Sequence, residues 1–556
     1  MSETGFITWF REIRLADVPR VGGKTASLGE LYGELGAAGV RVPNGFAITA
    51  AAYRALIDRD GLRDRLASFL KEVTGEDVST LAAAGAQLRA LVESAPFPPG
   101  LAEEIVSAYR TLAREYGAEP AVAVRSSATA EDLPQASFAG QHESYLGVRG
   151  ETALLAACRR CFASIFTDRA IVYRIQNGFD HLSVALSIAV QKMVASDRGS
   201  SGVMFTLDPD SGFPDVVLVN AAWGLGEAVV QGQLDPDEFW IFKPTLRAGH
   251  DALLKRKIAR KTWKLALAPD GRPAQVPVPA EAQRVASLTD PEALELGRFA
   301  LAIEAHYSRR AGHPVPMDIE WAKDADDGRI YILQARPETI HGAKRRALLE
   351  IFALQPGAPR ERLVVGAAIG QRIGVGTTRR LDGPGDLEAF KAGEVLVASM
   401  TDPDWEPIMK RAAAIVTDRG GRTCHAAIVS RELGVPCVVG TGDGSRVLAD
   451  GQMVTVSCAE GEAGSVYRGA LPFERREVDL ATMPKTATRV MLNVGNPGEA
   501  FRLAALPNDG VGLARIEFII ASFVRVHPLA LLHPERVADA AARAEIDTLT
   551  AGYTER

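Results

Sequence analysis

One histidine of the chain stands in a setting suited to phosphoryl transfer. His425 follows Gly420 and Gly421 and opens a short predicted helix, which ends at Gly434 and Pro436. An imidazole is a nucleophile near neutral pH, and the free amides at a helix start stabilise negative charge. A helix-capping histidine is the alternative, but none of the other histidines shares this setting. The segment therefore predicts that His425 carries a labile phosphoryl group.

A loop-to-helix junction at residues 21–25 offers a second place for a negatively charged group. Gly22 and Gly23 precede Lys24, so backbone amides and an ammonium group would meet at one point. The segment is not a Walker A motif, because position 18 is Val instead of Gly. A solvated surface lysine is an equally good interpretation of Lys24 taken alone.

Arg125 follows a short apolar strand and is itself followed by two serines. A guanidinium beside hydroxyl groups can hold a phosphate with two parallel hydrogen bonds. The small, flexible segment 136–141 comes next, and it contains Ala139 and Gly140. This segment could fold over a polyphosphate, although a structural loop is the alternative interpretation.

Two predicted strands near residue 330 carry polar side chains on shared faces. Asp318 and Glu320 lie two residues apart on the first strand, and Gln334 and Arg336 lie two apart on the second. A polar turn at 326–328 joins them into a hairpin. Carboxylate, amide and guanidinium groups on one sheet could hold Mg²⁺ and a nucleotide phosphate. A solvated hairpin face is the alternative.

Composition excludes several classes of protein. The chain has 556 residues, with 63 Lys and Arg against 69 Asp and Glu, so its charge does not favour nucleic-acid or membrane partners. The apolar stretch 184–194 is shorter than the ~20 residues of a membrane span, and the N-terminal residues do not form a signal peptide. We expect a soluble, reduced, cytoplasmic protein. Cys158 and Cys161 form a CxxC pair, which we interpret as core-facing on a helix over 152–173.

The pattern of elements predicts an α/β multidomain protein. Residues 1–340 read as one large unit, helical to about residue 120 and strand-rich after it. A polar helical linker at 341–360 leads to a compact, glycine-rich unit at 361–470. A second linker at 471–488 leads to a strand–helix–strand pattern at 489–556. A closed β/α barrel needs about 250 residues, so we expect this last unit to be incomplete.

The segment GGRTCHAAIVSRELGVP closely resembles the phosphohistidine domain of the phosphoenolpyruvate-utilising dikinase family. Further segments, in the family's order, resemble its ATP-grasp nucleotide domain: VGGKTASLGEL, VPNGFAIT, AVRSSATAEDLPQASFAGQ, GVMFTLDPDSG, GLGEAVVQG and YILQARPET. NVGNP and GVGLARIEF resemble the start of its barrel. The resemblance implies an ATP-grasp domain, a swivelling β/β/α phosphohistidine domain and the beginning of a (β/α)8 phosphoenolpyruvate-binding barrel.

The resemblance also implies an ATP–magnesium site built from residues spread over the first unit. Lys24 and Arg125 would hold the ATP phosphates, and Arg336 would contact the transferring phosphates. Glu320 and Gln334 would bind Mg²⁺. The loop with Ala139 and Gly140 would close over the phosphates. The adenine pocket would be lined by Gln191, Met193 and Val194.

The implied reaction runs through His425, which would accept a pyrophosphoryl group from ATP and release AMP. Water would remove the outer phosphate, and the phosphohistidine would swing to the barrel and phosphorylate pyruvate to phosphoenolpyruvate. Arg515 would bind the phosphate side of this substrate. Thr423 would be a regulatory phosphorylation site, served by a regulatory kinase and phosphorylase. The sequence also leaves open that the protein forms a homodimer.

One departure from the family limits the expected activity. The barrel carboxylates and the cysteine acid/base that the resemblance implies have no counterparts before Arg556. We therefore expect the chain as given to support only the ATP half-reaction. An ATP-dependent phosphotransferase with the same two modules and a different acceptor, such as an antibiotic, is the alternative function, and a non-catalytic phosphocarrier is a more remote one.

Overall fold

The computed structural model describes residues 5–70, 78–129, 144–176, 179–269, 271–338, 348–357, 360–383, 390–402, 405–422, 424–480, 484 and 486–550. Two open sheets, a closed barrel and a short β/α segment follow one another along the chain. None of the helices formed by the described residues combines the length and apolar character that a bilayer crossing requires.

The first part of the chain is mostly helical, as predicted, because apolar residues recur at helical spacing. In one of its helices Leu101, Ile105, Ala108 and Leu112 are buried along a single face. The helices of this part are α1 Val18–Glu34, α2 Ala50–Ile57, α3 Leu62–Leu70, α4 Val78–Ser94 and α5 Leu101–Tyr116.

A five-stranded sheet shares one apolar core with these helices. Its strands are β1 Ile7–Trp9, β2 Gly45–Ile48, β3 Val122–Ala128, β4 Ser144–Val148 and β5 Leu186–Lys192. Their order across the sheet is β1-β2-β5-β3-β4. The β5 strand therefore lies at the centre, between β2 and β3, and it is buried along almost its whole length.

The single helix predicted over 152–173 is two helices, α6 Glu151–Ala163 and α7 Asp168–Gln176. The prediction was wrong because Thr167 caps a new helix, with its hydroxyl accepting from the Ala170 amide at 3.4 Å. Cys158 and Cys161 are both fully buried, as the core-facing interpretation predicted.

A six-stranded sheet follows. The strands of this part are β6 Ser200–Phe205, β7 Val216–Trp223, β8 Asp237–Phe242, β9 Leu253–Lys257, β10 Trp263–Leu267, β11 Pro273–Pro277, β12 Met317–Lys323 and β13 Ile330–Pro337. Six of them form the sheet, in the order β13-β12-β6-β7-β8-β9. The helices are α8 Glu227–Val230, α9 Lys243–Arg247 and α10 Asp290–Ala311. The β10 and β11 strands form a separate hairpin.

Side chains along β12 alternate between the buried face of the six-stranded sheet and its opposite, polar face. Met317, Ile319 and Trp321 are fully buried in the core that the sheet shares with α10. Because successive side chains of a strand point to opposite faces, Asp318 and Glu320 project from the other face. This face is the polar one predicted from the sequence.

The central part of the chain begins with a strand, continues as a barrel and ends with a second strand. Its strands are β14 Leu348–Leu354, β15 Arg362–Ile369, β16 Ile373–Arg380, β17 Val395–Ala398, β18 Ala414–Thr417, β19 Cys437–Val439, β20 Met453–Ser457, β21 Ala463–Arg468 and β22 Phe473–Asp479. Its helices are α11 Glu406–Met409, α12 His425–Leu433 and α13 Gly444–Val447. The closed barrel has the order β15-β19-β18-β17-β16-β20-β21.

The two predicted linkers contain the strands of one antiparallel ribbon, in which β14 pairs with β22. The helical prediction for the first linker is therefore wrong over Leu348–Leu354. The ladder gives backbone partners to two segments that would otherwise have none. Phe352 and Phe473 add a ring contact with centroids 6.2 Å apart. The chain thus enters and leaves the barrel through paired strands.

The last described part begins as the predicted strand–helix–strand unit. The parallel strands β23 Leu492–Val494 and β24 Val511–Ala514 are joined through α14 Ala500–Ala504. The helices that follow are α15 Ile516–Phe518, α16 Pro528–Leu532 and α17 Ala540–Thr550. A parallel pair linked by a helix is the repeating unit of β/α folds.

Candidate functional site

Four polar side chains meet on the open face of the β12–β13 hairpin. Glu320 is directly opposite Gln334, and Asp318 is directly opposite Arg336. The Asp318 carboxylate accepts from Nε of Arg336 at 2.9 Å and lies 2.8 Å from its Nη2. Burial raises the pKa of Asp318, and the Arg336 guanidinium opposes this rise. The register therefore brings together the two pairs that the sequence placed on separate strands.

Arg125 joins this cluster from the other sheet. Its Nη1 lies 3.4 Å from Oε2 of Glu320, and its buried Nε has no hydrogen-bond partner within the described chain. Arg125 also acts on the nearby Glu227, whose pKa is raised by burial against the effect of that positive charge. A guanidinium with unused donors between two carboxylates can turn toward an incoming phosphate.

The start of α1 carries Lys24 to the same region. Gly22 interrupts the helix with a φ of 73°, a conformation that favours glycine. A Cβ on Gly22 would lie 2.3 Å from Oγ of Ser127, so the turn needs glycine to approach β3 this closely. Ser27 donates to the Ala335 carbonyl at 2.5 Å. These contacts place half-buried Lys24 between β3, which carries Arg125, and β13, which carries Gln334 and Arg336.

The residues predicted for the adenine pocket lie together at the end of β5. Gln191 is buried, and its side-chain amide donates to the Pro43 carbonyl at 3.4 Å. The Met193 backbone amide donates to the Ala121 carbonyl at 2.9 Å, and Val194 is buried. Their contacts with adenine stay a prediction. Ala139, Gly140 and Thr423 lie outside the described residues.

His425 is the first residue of α12, as the sequence predicted. The helix ends at Leu433, and Gly434 closes it in the left-handed conformation with a φ of 67°. Nδ1 of half-buried His425 lies 3.2 Å from Oγ1 of Thr401, which is itself buried. This contact orients an imidazole at a helix N-terminus, where negative charge is stabilised.

The helix of His425 lies directly against the first part of the chain. A Cβ added to Gly232 would lie 2.1 Å from the Cα of Cys424, the residue before His425. Gly232 follows α8, the short helix that begins with Glu227. The barrel is therefore seated beside the face of the first part that carries the arginine and carboxylate cluster.

Arg515 lies apart from these groups, in the last part of the chain. It is exposed at the N-terminus of α15, with its guanidinium carbon 5.4 Å from the ring centroid of Phe518. Its backbone amide donates to the Val494 carbonyl at 2.8 Å. Its role toward a substrate phosphate stays a prediction.

Three residues that the structure places at these sites were not among the site residues predicted from the sequence. Asp318 was recognised only as a neighbour of Glu320, and its pairing with Arg336 depends on the strand register. Thr401 is distant from His425 in sequence, and no local pattern indicated their contact. Asn220 is buried, with neither side-chain amide atom partnered within the described chain.

Comparison with known proteins identifies the family of the chain. The model of the pyruvate phosphate dikinase AMP/ATP-binding domain matches residues 18–352. The model of the mobile domain of PEP-utilising enzymes matches residues 390–461. A solved structure of D-cycloserine synthetase DcsG matches at 16% identity over 49% of this chain and 71% of that one, with a TM-score of 0.18, which supports no argument.

Phosphoenolpyruvate synthases from several bacteria match almost the whole chain. That of Aquifex aeolicus is 49% identical over 98% of this chain and 64% of its own length. Those of Helicobacter pylori and Escherichia coli are 46% and 49% identical, over 99% and 96% of this chain and 68% and 67% of their own lengths. The chain thus spans about two thirds of the length of these relatives, and the predicted dikinase resemblance is confirmed. The chain belongs to the phosphoenolpyruvate synthase family, and it carries matches to the family's AMP/ATP-binding and mobile domains in that order.

Proposed function

We propose that this protein acts as a phosphoenolpyruvate synthase, converting ATP, pyruvate and water to phosphoenolpyruvate, AMP and phosphate. One observation carries the proposal: His425 opens α12, and the residue before it packs against Gly232 of the AMP/ATP-binding domain. The proposed nucleophile, at a helix N-terminus, thus lies beside the part of the chain that matches the AMP/ATP-binding domain. The phosphoenolpyruvate synthases named above favour this activity over transfer to an antibiotic.

The nucleotide would lie between the two sheets, in the manner of an ATP-grasp domain. The phosphates would be neutralised by Lys24, Arg125 and Arg336. These residues lie on α1, β3 and β13, respectively, and the three elements meet in one region. Gln191, Met193 and Val194 would contact adenine. The loop with Ala139 and Gly140 would close over the phosphates.

Glu320 and Gln334 fit a bound Mg²⁺, because a carboxylate and an amide oxygen face each other across two paired strands. Mg²⁺ commonly takes only one or two protein ligands and completes its shell with phosphates and water. Among the described residues, no group of three His, Cys, Asp or Glu side chains forms a metal site. The ion would supply charge neutralisation to the phosphates.

In the first half-reaction an imidazole nitrogen of His425 would attack the β-phosphorus of ATP, and AMP would leave. If Nδ1–H donates to Oγ1 of Thr401, Nε2 carries the lone pair that attacks. Water would then attack the outer phosphorus and release phosphate, so that one phosphoryl group remains on His425. The positive end of α12 would stabilise this group.

In the second half-reaction the phosphohistidine would meet pyruvate in a β/α barrel whose start is residues 489–556, with Arg515 on the substrate's phosphate. The mobile domain, about 361–470, would move as a rigid body between the sites. The β14–β22 ribbon, which lies in the predicted linkers 341–360 and 471–488, would be its tether.

Regulation and assembly are further parts of the proposal. A phosphate on Thr423 would add roughly −1.5 to −2 charges two residues before His425 and would repel ATP phosphates. A regulatory kinase and phosphorylase would set this state. A homodimeric assembly and a cytoplasmic location stay predictions.

The activity is tested with β-labelled ATP and with pyruvate in separate reactions. We expect label on His425 that is labile to acid and stable to base, with release of one AMP for each label. Adding pyruvate to the full enzyme should move the label to phosphoenolpyruvate. Release of ADP in place of AMP would contradict the proposal, because it would mean that only the terminal phosphate had left ATP.

A further inference from the structure

A single carboxylate of the AMP/ATP-binding domain contacts two arginines on either side of His425 in the sequence. Asp210 accepts a hydrogen bond from Nη1 of Arg422. Its other oxygen accepts from Arg431, from Nε at 3.1 Å and from Nη2 at 2.5 Å. Asp210 therefore links this domain to the mobile domain through both of its oxygens.

This ion-pair cluster is largely removed from solvent. The Asp210 side chain is 20% exposed, and those of Arg422 and Arg431 are 18% and 5% exposed. Burial raises the pKa of Asp210, but the two guanidinium groups lower it by more than burial raises it, so the net shift is downward. Because screening by water is reduced there, the attraction is stronger than that of a surface pair.

The loop that presents Asp210 is itself held in shape. The Asp208 carboxylate accepts from the amide of Ser211 at 2.9 Å and from its hydroxyl at 2.5 Å. Such a side-chain-to-backbone bond closes a tight turn. Asp210 lies inside this turn, so its position relative to β6 and β7 is fixed before the mobile domain arrives.

Arg431 is rigidly related to His425 through α12, and Arg422 is close to His425 in the sequence. Arg431 lies on α12, which begins at His425, so a span of about 9 Å along one helix separates the two residues. Arg422 lies three residues before His425. Gly232 packs closely on Cys424, and Gly421 lies near Asp235. These two approaches leave the backbone little room to move where the two domains meet.

We infer that Asp210 is the docking residue that seats the mobile domain for transfer from ATP to His425. It acts through the two arginines as a positioning residue, and the inference rests on the proposed function above. Its loss would leave two buried guanidinium groups without their carboxylate, which disfavours the docked state. Nucleotide binding would persist, since Asp210 lies outside the Arg125–Glu320–Gln334 cluster.

The test compares Asp210→Asn and Asp210→Glu with the wild-type protein and with Asp58→Asn. Asp58 forms an exposed ion pair with Arg63 at 2.5 Å between α2 and α3, where little effect is expected. Three quantities are measured: the affinity for ATP, the single-turnover rate of AMP release, and the radius of gyration by small-angle X-ray scattering. The substitution of Asn removes the charge at nearly constant volume, and that of Glu retains it.

We expect Asp210→Asn to release AMP at about one tenth of the wild-type rate or less. It should bind ATP with unchanged affinity and have a larger radius of gyration. Asp210→Glu should recover part of the rate, and Asp58→Asn should match the wild type. An Asp210→Asn protein with wild-type rate and size would overturn the inference. Wild-type protein that never labels His425 would instead refute the proposed function, while the scattering data would still report on docking.

A second variant, made on the opposite side of the contact, separates docking from damage to the Asp210 loop. Arg431→Gln should slow AMP release, and combining it with Asp210→Asn should slow it less than the product of the two single effects. Such non-additivity is expected of residues in direct contact. Fully multiplicative effects would show that the two side chains act independently and would overturn the inference.

Discussion

The guanidinium of Arg125 contacts the carboxylate of Glu320 across the junction of two sheets, with Nη1 3.4 Å from Oε2. Arg125 belongs to β3 of the five-stranded sheet, and Glu320 belongs to β12 of the six-stranded sheet. Their side chains are 17% and 25% exposed, so the pair is only partly screened by water. A bound nucleotide would bring an anion for the one and a cation for the other. We propose that the pair holds the two candidate ligand-binding groups in place until each of them exchanges its partner for the ligand.

This relationship predicts the effect of replacing Glu320 with Gln. The substitution removes the charge of the proposed metal ligand, so the Mg²⁺ concentration at half-maximal labelling of His425 should rise by about tenfold or more. The control is Glu151→Gln, which breaks an exposed pair with Arg110 at 2.7 Å outside the site. Titration of the labelling rate with Mg²⁺ is the measurement. An unchanged Mg²⁺ dependence in Glu320→Gln would exclude Glu320 as a ligand.

Removal of the proposed nucleophile should abolish transfer without disturbing the nucleotide site. His425→Ala is expected to bind ATP with wild-type affinity, because the imidazole lies in the mobile domain. It should take no acid-labile label from β-labelled ATP. Exposed His250, on the AMP/ATP-binding domain, gives the matched control His250→Ala, which should label normally. Label retained by His425→Ala would place the phosphoryl group on another residue.

Sequence patterns were sufficient for features that local chemistry determines. The double glycine before His425 and the Gly434 after Leu433 predicted α12 to the residue, since helix caps are local signals. The alternation of Asp318 and Glu320 with apolar residues predicted the polar face of β12. That these carboxylates lie opposite Arg336 and Gln334 depends on the register of the hairpin, which the polar turn fixes.

Contacts between distant segments escaped prediction. The strand Leu348–Leu354 reads as a helix when taken alone, and it is extended because it pairs with Phe473–Asp479, more than a hundred residues later. The docking of Asp210 on Arg422 and Arg431 joins two domains, and although both sides lie in segments that resemble the dikinase family, neither segment indicates the contact. Both features follow from tertiary packing, which no local window contains.

Acid should destabilise the AMP/ATP-binding domain through His181. Nε of buried Arg174 donates to Nδ1 of His181 at 3.0 Å, and burial, followed by the Arg174 charge, lowers the pKa of His181 to about 4. Because an unfolded histidine titrates near 6.5, the neutral ring contributes its full stability above that pH. This contribution is lost as the pH falls from about 6.5 toward 4.

The variant that isolates this effect is His181→Gln, whose amide oxygen can still accept from Arg174. Between pH 7 and pH 5 the wild type should lose on the order of 1 kcal/mol more unfolding free energy than this variant. His181→Leu, which leaves the Arg174 donor unpartnered, should be less stable at every pH. Denaturant unfolding at several pH values measures all three proteins. Parallel pH profiles for wild type and His181→Gln would contradict the assignment.

The hydroxyl of Thr401 should control the reactivity of His425 without controlling where the mobile domain sits. Thr401→Val keeps the volume of the side chain and removes the group 3.2 Å from Nδ1. Loss of one hydrogen bond of ~0.5–1.5 kcal/mol should slow labelling of His425 by roughly 3- to 10-fold. Thr401→Ser, which keeps the hydroxyl, should label at close to the wild-type rate.

Two further readouts distinguish orientation of the ring from loss of docking. The radius of gyration of Thr401→Val should equal that of the wild type, because Thr401 takes no part in the Asp210 contact. The pH dependence of its labelling rate should shift, since the hydrogen bond at Nδ1 biases which ring nitrogen carries the proton. A Thr401→Val protein that labels at the wild-type rate, with an unshifted pH profile, would show that the ring is positioned by other contacts.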